Sequence, residues 1–302
     1  MNPLHRPSRA LRPGAARISV SFEMFPPKND AMAAALFDAV DRLSPLQPAF
    51  VSVTCGAGGS TTSLTASTVA QIHEATGVPV AAHLTCAAAS TVEIDATLAR
   101  YKADGVNHIV ALRGDSQGGI GQPFQAHPDG YQSTPELVAA VKRISGAQVS
   151  VSAYPERHPE SPSVTSDLDM LAAKVDAGAD RALTQFFFDN ELFYRYLDQV
   201  RARGITIPIV PGILPMQSFE QAKSFAQRCG ASIPTWMADR FEGLETDLDT
   251  RQKVAVAVAV EQVLDLVDHG ITDFHFFTMN RADLVYPICH LLGLRPSMSV
   301  AA

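Results

Sequence analysis

Ile18-Ser19-Val20-Ser21-Phe22-Glu23-Met24-Phe25-Pro26-Pro27 is the stretch from which the fold is read. Its β-branched and aromatic residues make a strand, and the paired prolines stop it abruptly. Runs of the same kind recur at 50–55, 80–85, 108–113, 149–154, 181–188, 207–214 and 273–279, which brings the count to eight. Most are nearly continuous apolar runs, the pattern of parallel strands covered on both faces. Segments of helical period fill the gaps at 31–43, 64–75, 92–103, 135–144, 166–177, 191–203, 219–228 and 282–292. The fifth opens on a Ser166-x-x-Asp169 capping pattern and closes at Gly178. The seventh unit is longer and predicts further helices at 235–243 and 248–268 before the last strand.

Eightfold strand–helix alternation predicts an α/β fold, a (β/α)8 TIM barrel. A doubly wound open sheet is the rival arrangement. No linker-like stretch divides the chain, so the expected organisation is a disordered tail at 1–17, one barrel domain at 18–295 and a C-terminal tail at 296–302. The first segment carries Arg6, Arg9, Arg12 and Arg17 and no acid, like a transit peptide, but Pro3, Pro7 and Pro13 break the amphipathic helix such a peptide needs.

Composition narrows the function. Of 302 residues 46% are hydrophobic and 18% charged, enough for a large core and too apolar for long disordered tracts. A net charge of −7 argues against a nucleic-acid binder, and no apolar run is long enough to span a membrane. Cys55, Cys86, Cys229 and Cys289 form no CxxC pair; they suit a reducing cytoplasm and suggest neither a disulfide frame nor a zinc site. No catalytic metal is expected, and no G-x-S-x-G elbow supports a hydrolase triad.

In such a barrel, chemistry collects at the C-terminal ends of the strands. Polar residues found there are Glu23, Thr54, His83, Thr85, Arg113, Asp115, Tyr154, His158, Gln185 and Arg281. Glu23, read as walled by Phe22, Met24 and Phe25, is expected to have its pKa raised by desolvation and to serve as a general acid. The plainer alternative is an edge-strand glutamate in solvent. The glycine-rich loop after Thr54 fits neither a Walker motif nor GxGxxG; it reads as a close backbone approach to a ligand or as an ordinary loop. Arg113 and Lys174 would neutralise a pyrophosphate. Asp167 and Lys174, seven apart, share a helix face, as a surface pair also would. Such a rim suits a bound organic cofactor.

Several segments resemble the methylenetetrahydrofolate reductases: Ser21-Phe22-Glu23-Met24-Phe25-Pro26-Pro27, Val51-Ser52-Val53-Thr54, His83-Leu84-Thr85-Cys86 and Ala111-Leu112-Arg113-Gly114-Asp115. Ala153-Tyr154-Pro155-Glu156, His158-Pro159-Glu160, Lys174-Val175-Asp176-Ala177-Gly178-Ala179, Thr184-Gln185-Phe186-Phe187-Phe188-Asp189, Pro211-Gly212-Ile213-Leu214-Pro215 and Asp273-Phe274-His275-Phe276 continue the series in the family's order. The resemblance implies a barrel flavoprotein of the short bacterial form, without a regulatory domain. It implies FAD-dependent, ping-pong reduction of 5,10-methylenetetrahydrofolate to 5-methyltetrahydrofolate by NADH or NADPH, feeding methionine synthesis.

By position, Glu23 matches the family's general acid, and Asp115 a carboxylate between flavin and pterin. Thr54, Asp115, Gln185, Gln221, Phe225 and Arg281 match substrate contacts; by itself Phe225 reads as an ordinary core residue of an amphipathic helix. Cys55, Ala57, His83, Arg113, Gly114, Asp115, Gln132, Tyr154, His158, Asp167 and Lys174 match the FAD site. Three departures stand out: Cys55 replaces a frequent Tyr, Met170 and Ala173 replace polar or basic residues on the FAD helix, and the loop at 116–129 does not align residue by residue. A cytoplasmic homo-oligomer acting on small molecules is expected. The alternative is a flavin-free folate-binding barrel methyltransferase.

Overall fold

The computed structural model describes residues 17–56, 62–87, 89–114, 125–216 and 218–297. The expected N-terminal tail apart from Arg17, residues 298–302 of the C-terminal tail, and two expected site residues, Ala57 and Asp115, lie outside that set.

Eight parallel strands close into a barrel in chain order. They are β1 (Ser19–Met24), β2 (Phe50–Val53), β3 (Val80–Thr85), β4 (His108–Leu112), β5 (Gln148–Ala153), β6 (Arg181–Phe186), β7 (Ile209–Ile213) and β8 (Asp273–Phe277). Around them run α1 (Asp30–Leu43), α2 (Thr62–Thr76), α3 (Thr91–Ala103), α4 (Thr134–Ile144), α5 (Val164–Asp176), α6 (Asn190–Ala202) and α7 (Phe219–Cys229). The extra helices of the seventh unit are α8 (Thr235–Phe241) and α9 (Leu248–Asp268), and α10 (Ala282–Leu291) follows β8. The expected (β/α)8 barrel is therefore present, and the open sheet is excluded by the β1–β8 pairing.

The two-residue period of the strands separates two apolar layers. Val20, Phe22 and Met24 turn outward and join Leu36 and Val40 of α1 in the large core between barrel and helices. Each side chain of that size, when buried, contributes about 1.5–3 kcal/mol. Phe50, Ala81, Val110, Leu183 and Val210 form a smaller cluster inside the barrel. The alternate residues of β1, Ser21 and Glu23, share that inner side.

Two local features differ from the sequence reading. Helix α5 starts at Val164, earlier than the Ser166-x-x-Asp169 pattern suggested. Ser163, in extended backbone, is the true cap: its side chain accepts from Ser166 N–H at 3.1 Å, and its own N–H donates to Ser166 Oγ at 3.2 Å. The helix still ends before Gly178, at φ +111°. In the β6–β7 pair the register shifts between Leu183 and Phe186, an irregularity that spans Thr184 and Gln185 near the barrel mouth. Gly212 opposite has no room for a side chain: a Cβ would lie 2.2 Å from the Thr184 carbonyl oxygen and 2.6 Å from the Phe277 ring.

Candidate active site

Glu23 is placed by two parallel neighbours. In register it lies beside Ser52 of β2 and Phe277 of β8, and its side chain points inward. Thr278 Oγ1 donates to the Glu23 carbonyl at 2.6 Å. Asn280 clamps Phe25, two residues on, accepting from its N–H at 2.8 Å and donating Nδ2–H to its carbonyl at 2.9 Å. Met279 and Asn280 adopt left-handed backbone (φ +54° and +56°) to make this bridge, a conformation that costs roughly 1–2 kcal/mol per residue. The loops after the first and last strands are thus tied together, and the carboxyl is held at the mouth.

Its surroundings correct the sequence reading. Phe22 and Met24 do not wall Glu23, because adjacent strand residues face opposite ways and both belong to the helix-side core. Instead the carboxylate Oε2 lies 3.5 Å from His83 Nε2 and 3.6 Å from His275 Nε2. Burial alone would raise the carboxyl pKa, but the His275 and His83 imidazoles outweigh it and hold it below the ordinary value. The expected upward shift is absent. His83 is pushed down to about 4 by burial, against the opposing pull of Glu23, so it is neutral at pH 7. Neither Nε2 has a hydrogen-bond partner, and the buried Ser52 Oγ also lacks one. Unsatisfied polar atoms in a protein interior are uncommon and call for an explanation.

Glu23 lines one of two cavities that adjoin at Phe277. One, of about 170 Å³, is lined by Glu23, His83, Tyr154, Thr184, Gln185, His275 and Phe277. The other, of about 220 Å³, brings together three expected substrate contacts, Gln221 and Phe225 of α7 and Arg281 at the start of α10. Phe277 borders both. Arg228 sits over the Phe225 ring at 4.7 Å, and Arg281 pairs with Asp283. Gln185 Oε1 accepts from Phe186 N–H at 3.1 Å, which orients its amide.

The expected cofactor residues gather at the ends of β2 to β5 and on α5. Thr54 follows β2, where its carbonyl accepts from Thr65 Oγ1 at 2.9 Å, and Cys55 beside it is partly exposed. Arg113 Nη1 donates to Glu160 at 2.7 Å, and this contact lowers the Glu160 carboxyl pKa. Gly114, at φ +84°, has no room for a Cβ, which would meet Thr85 Cβ at 2.9 Å. Tyr154 and His158 pack edge to face at 4.8 Å, and burial lowers the His158 pKa.

Asp167 is engaged as a loop anchor, accepting from His158 N–H at 2.9 Å and from Ser161 Oγ. Lys174 is only 5% exposed; its Nζ donates to the Ser152 carbonyl at 2.9 Å and Ser152 Oγ at 3.2 Å. Burial brings that amine down to about 8, although Asp167 pulls the other way. The two are therefore not the solvent-facing pair that their spacing allowed. Gln132 is fixed by its own loop, donating to the carbonyls of Gly130 at 2.7 Å and His127 at 3.0 Å. Met170 is 43% exposed on α5.

The donor set fits a dinucleotide cofactor. The Arg113 guanidinium offers a fork to a pyrophosphate, and the cavity between His83, Tyr154 and Gln185 offers buried walls with polar edges to a planar ring. Among the described residues no group of three His, Cys, Asp or Glu side chains is placed to hold a metal ion, and no helix is long and apolar enough to cross a membrane. Ser21, Ser52 and His275 escaped the sequence reading as functional candidates. The usable signal was periodic: Ser21 is two residues before Glu23, hence on its face.

A family model described as methylenetetrahydrofolate reductase matches residues 8–293. The chain is 45% identical over 291 residues to the 5,10-methylenetetrahydrofolate reductases of Salmonella typhimurium and Escherichia coli, covering 96% of itself and of each relative. Among solved structures it superposes on a Clostridium thermocellum protein described as binding two copies of 5-methyl-5,6,7,8-tetrahydrofolic acid. That match has a TM-score of 0.61 at 13% identity and covers 91% of this chain and 94% of the other; at such identity it speaks for the fold alone.

Proposed function

This chain belongs to the methylenetetrahydrofolate reductase family, and from that premise we propose that it reduces 5,10-methylenetetrahydrofolate to 5-methyltetrahydrofolate through FAD, with NADH or NADPH as electron source. Membership itself supports an oxidoreductase acting on methylenetetrahydrofolate. The observation that carries the reading to this chain's own atoms is the inward carboxyl of Glu23, set between two imidazoles in the wall of a cavity. The protein is read as one catalytic domain at 18–295, a cytoplasmic homo-oligomer supplying methyl groups for methionine synthesis.

Bound FAD would supply the hydride relay from nicotinamide to folate. The rest falls to side chains. A methylene bridging two folate nitrogens is a poor hydride acceptor until N10 is protonated and the ring opens to an N5 iminium. Glu23 is the residue placed to give that proton. With its pKa held below the ordinary value, the carboxyl would take up that proton only once folate is bound. Asp115, together with Gln185 and Thr54, would hydrogen-bond the pterin. Gln221, Phe225 and Arg281 would hold the remoter part of folate and nicotinamide in turn, since they line a single cavity. Shared ground of this kind makes the two substrates alternate, which is a ping-pong cycle.

For the cofactor, Arg113 would take the pyrophosphate, and His83, Gly114, Tyr154 and His158 would border the flavin. Cys55, Ala57 and Gln132 would contribute from their loops. Asp167 and Lys174 would act from behind, by fixing the 158–161 loop and the β5 wall.

An anaerobic absorbance titration tests the reading. Flavin bands that bleach with NADH or NADPH and return with methylenetetrahydrofolate are the expected result. A protein that stays colourless after FAD is added, yet binds folate, would support the flavin-free alternative instead.

A further inference from the structure

We propose that Glu156 is a positioning residue: its carboxylate anchors the C-terminal end of α7 to the loop after β5, so that the cofactor side and the substrate side of the mouth hold one geometry. The inference rests on reading Tyr154 and His158 as cofactor residues and Gln221 and Phe225 as substrate residues.

Helix α7 is not an ordinary wrapping helix of the barrel. It starts just after β7, where Ser218 caps it by accepting from Gln221 N–H at 3.1 Å. Its other end meets the loop after β5, which lies on the same rim. A Cβ on Gly230 would be 2.9 Å from Pro159 Cγ and 3.1 Å from the Arg157 carbonyl oxygen. Both ends of α7 therefore sit at the mouth, and the helix spans it from β7 toward β5. The return to the opposite face is left to α9, which leads into β8. Ala222 and Ala226 of α7 are buried with Leu214, Met216 and Phe241, while Gln221 and Phe225 line the larger cavity of the site.

The far end of α7 is closed by successive bonds. Gly230, at φ +73°, donates its N–H to the Ala226 carbonyl, and Ala231 N–H donates to the same oxygen at 3.0 Å. The next N–H, that of Ser232, is accepted by both oxygens of the Glu156 carboxylate at 2.9 Å. Bonds of this charge-assisted kind are about twice as strong as neutral ones. An acid beside the last turn of a helix opposes the helix dipole, which favours cations there. Generic capping therefore does not account for Glu156, whereas a bond to one chosen backbone N–H does.

Glu156 lies between the two residues assigned to the cofactor. Tyr154 and His158 pack against each other, and His158 N–H is held by Asp167 of α5. Phe225 stands four residues before the last residue of α7, about one turn from the anchor. The loop is thus fixed to α5 on one side and to α7 on the other. Releasing the anchor leaves the reacting atoms untouched and loosens α7, so substrate binding weakens while chemistry at saturation does not.

Glu156→Ala removes both acceptors, and Glu156→Gln keeps one oxygen for Ser232 N–H. In anaerobic stopped flow, Glu156→Ala should raise the apparent dissociation constants of nicotinamide and of methylenetetrahydrofolate together. The expected rise is about five- to tenfold, the scale of one hydrogen bond to a charged group. The limiting rates of both half-reactions should stay at the wild-type value, and Glu156→Gln should restore both constants. Hydrogen–deuterium exchange of the FAD-loaded proteins reads the anchor without turnover. Amides of 219–229 should exchange faster in Glu156→Ala and at the wild-type rate in Glu156→Gln, with α6 the same in all three. Unchanged exchange along α7, unchanged dissociation constants, or a loss confined to the limiting rates would overturn the proposal. A wild-type chain that never reduces folate would defeat the reductase reading instead, and the exchange comparison would still decide the anchor.

Discussion

The two ends of the barrel interior hold the same kinds of residue in opposite states. Near the N-terminal ends of the strands, His108 is hydrogen-bonded to Ser150 at 2.7 Å and packs edge-on to Phe50 at 4.5 Å, and Arg181 covers that ring. Nearer the mouth, His83 Nε2, His275 Nε2 and Ser52 Oγ surround Glu23 without a hydrogen-bond partner. Buried polar groups that are satisfied stiffen a core; those left open in a stable fold are kept for something that arrives. We read the lower histidine as structural and the upper pair as chemical.

The largest effect that would break this contrast is on turnover. Glu23→Gln should lower folate reduction by about 10²–10⁴-fold, the usual worth of a general acid. Ser150→Ala, at the other end, should leave the rate nearly unchanged. Its cost should appear in denaturant unfolding as about 1–3 kcal/mol, because it strands the His108 ring nitrogen. Equal rate losses in the two variants would erase the distinction.

Acid sharpens it next. His83 and His108 sit at about 4 and about 3 in the folded protein, below the 6.5 of a free imidazole, because burial disfavours their charged forms. Between those values the unfolded chain binds more protons than the folded one, so stability falls as pH drops. The stabilisation from neutral burial should be complete above about pH 6.5 and decline toward pH 4, by on the order of 3 kcal/mol for His83 alone. Thermal melts across that window check it; a flat Tm would contradict the buried, neutral assignment. The smallest effect lies outside the barrel. Glu160→Gln removes the charged partner at Arg113 Nη1 and should tighten FAD binding to apoprotein about two- to fivefold, the worth of a partly exposed ion pair. Fluorescence titration measures it.

The fold was legible because each strand is an apolar run flanked by its own helix signal, and eight such units leave few arrangements. Local chemistry misled where sequence neighbours were taken for spatial ones. Phe22 and Met24 adjoin Glu23 in the chain yet lie across the sheet from it, so the expected raised pKa did not survive. Lys174 was read as a cation for a pyrophosphate or as half of a surface pair with Asp167, but its length lets it turn back to the β5 backbone at Ser152. His275 and Ser21 were the hardest to see. They meet only because β8 closes against β1, a pairing between residues 254 positions apart that no local period announces.

The central claim, that the polar atoms at the mouth serve proton delivery to folate, is tested most directly by separating the two half-reactions of Glu23→Gln in anaerobic stopped flow. The account predicts flavin reduction by nicotinamide at close to the wild-type rate, with flavin reoxidation by methylenetetrahydrofolate nearly abolished. Equal losses in both half-reactions would contradict it and make Glu23 a structural member of the barrel.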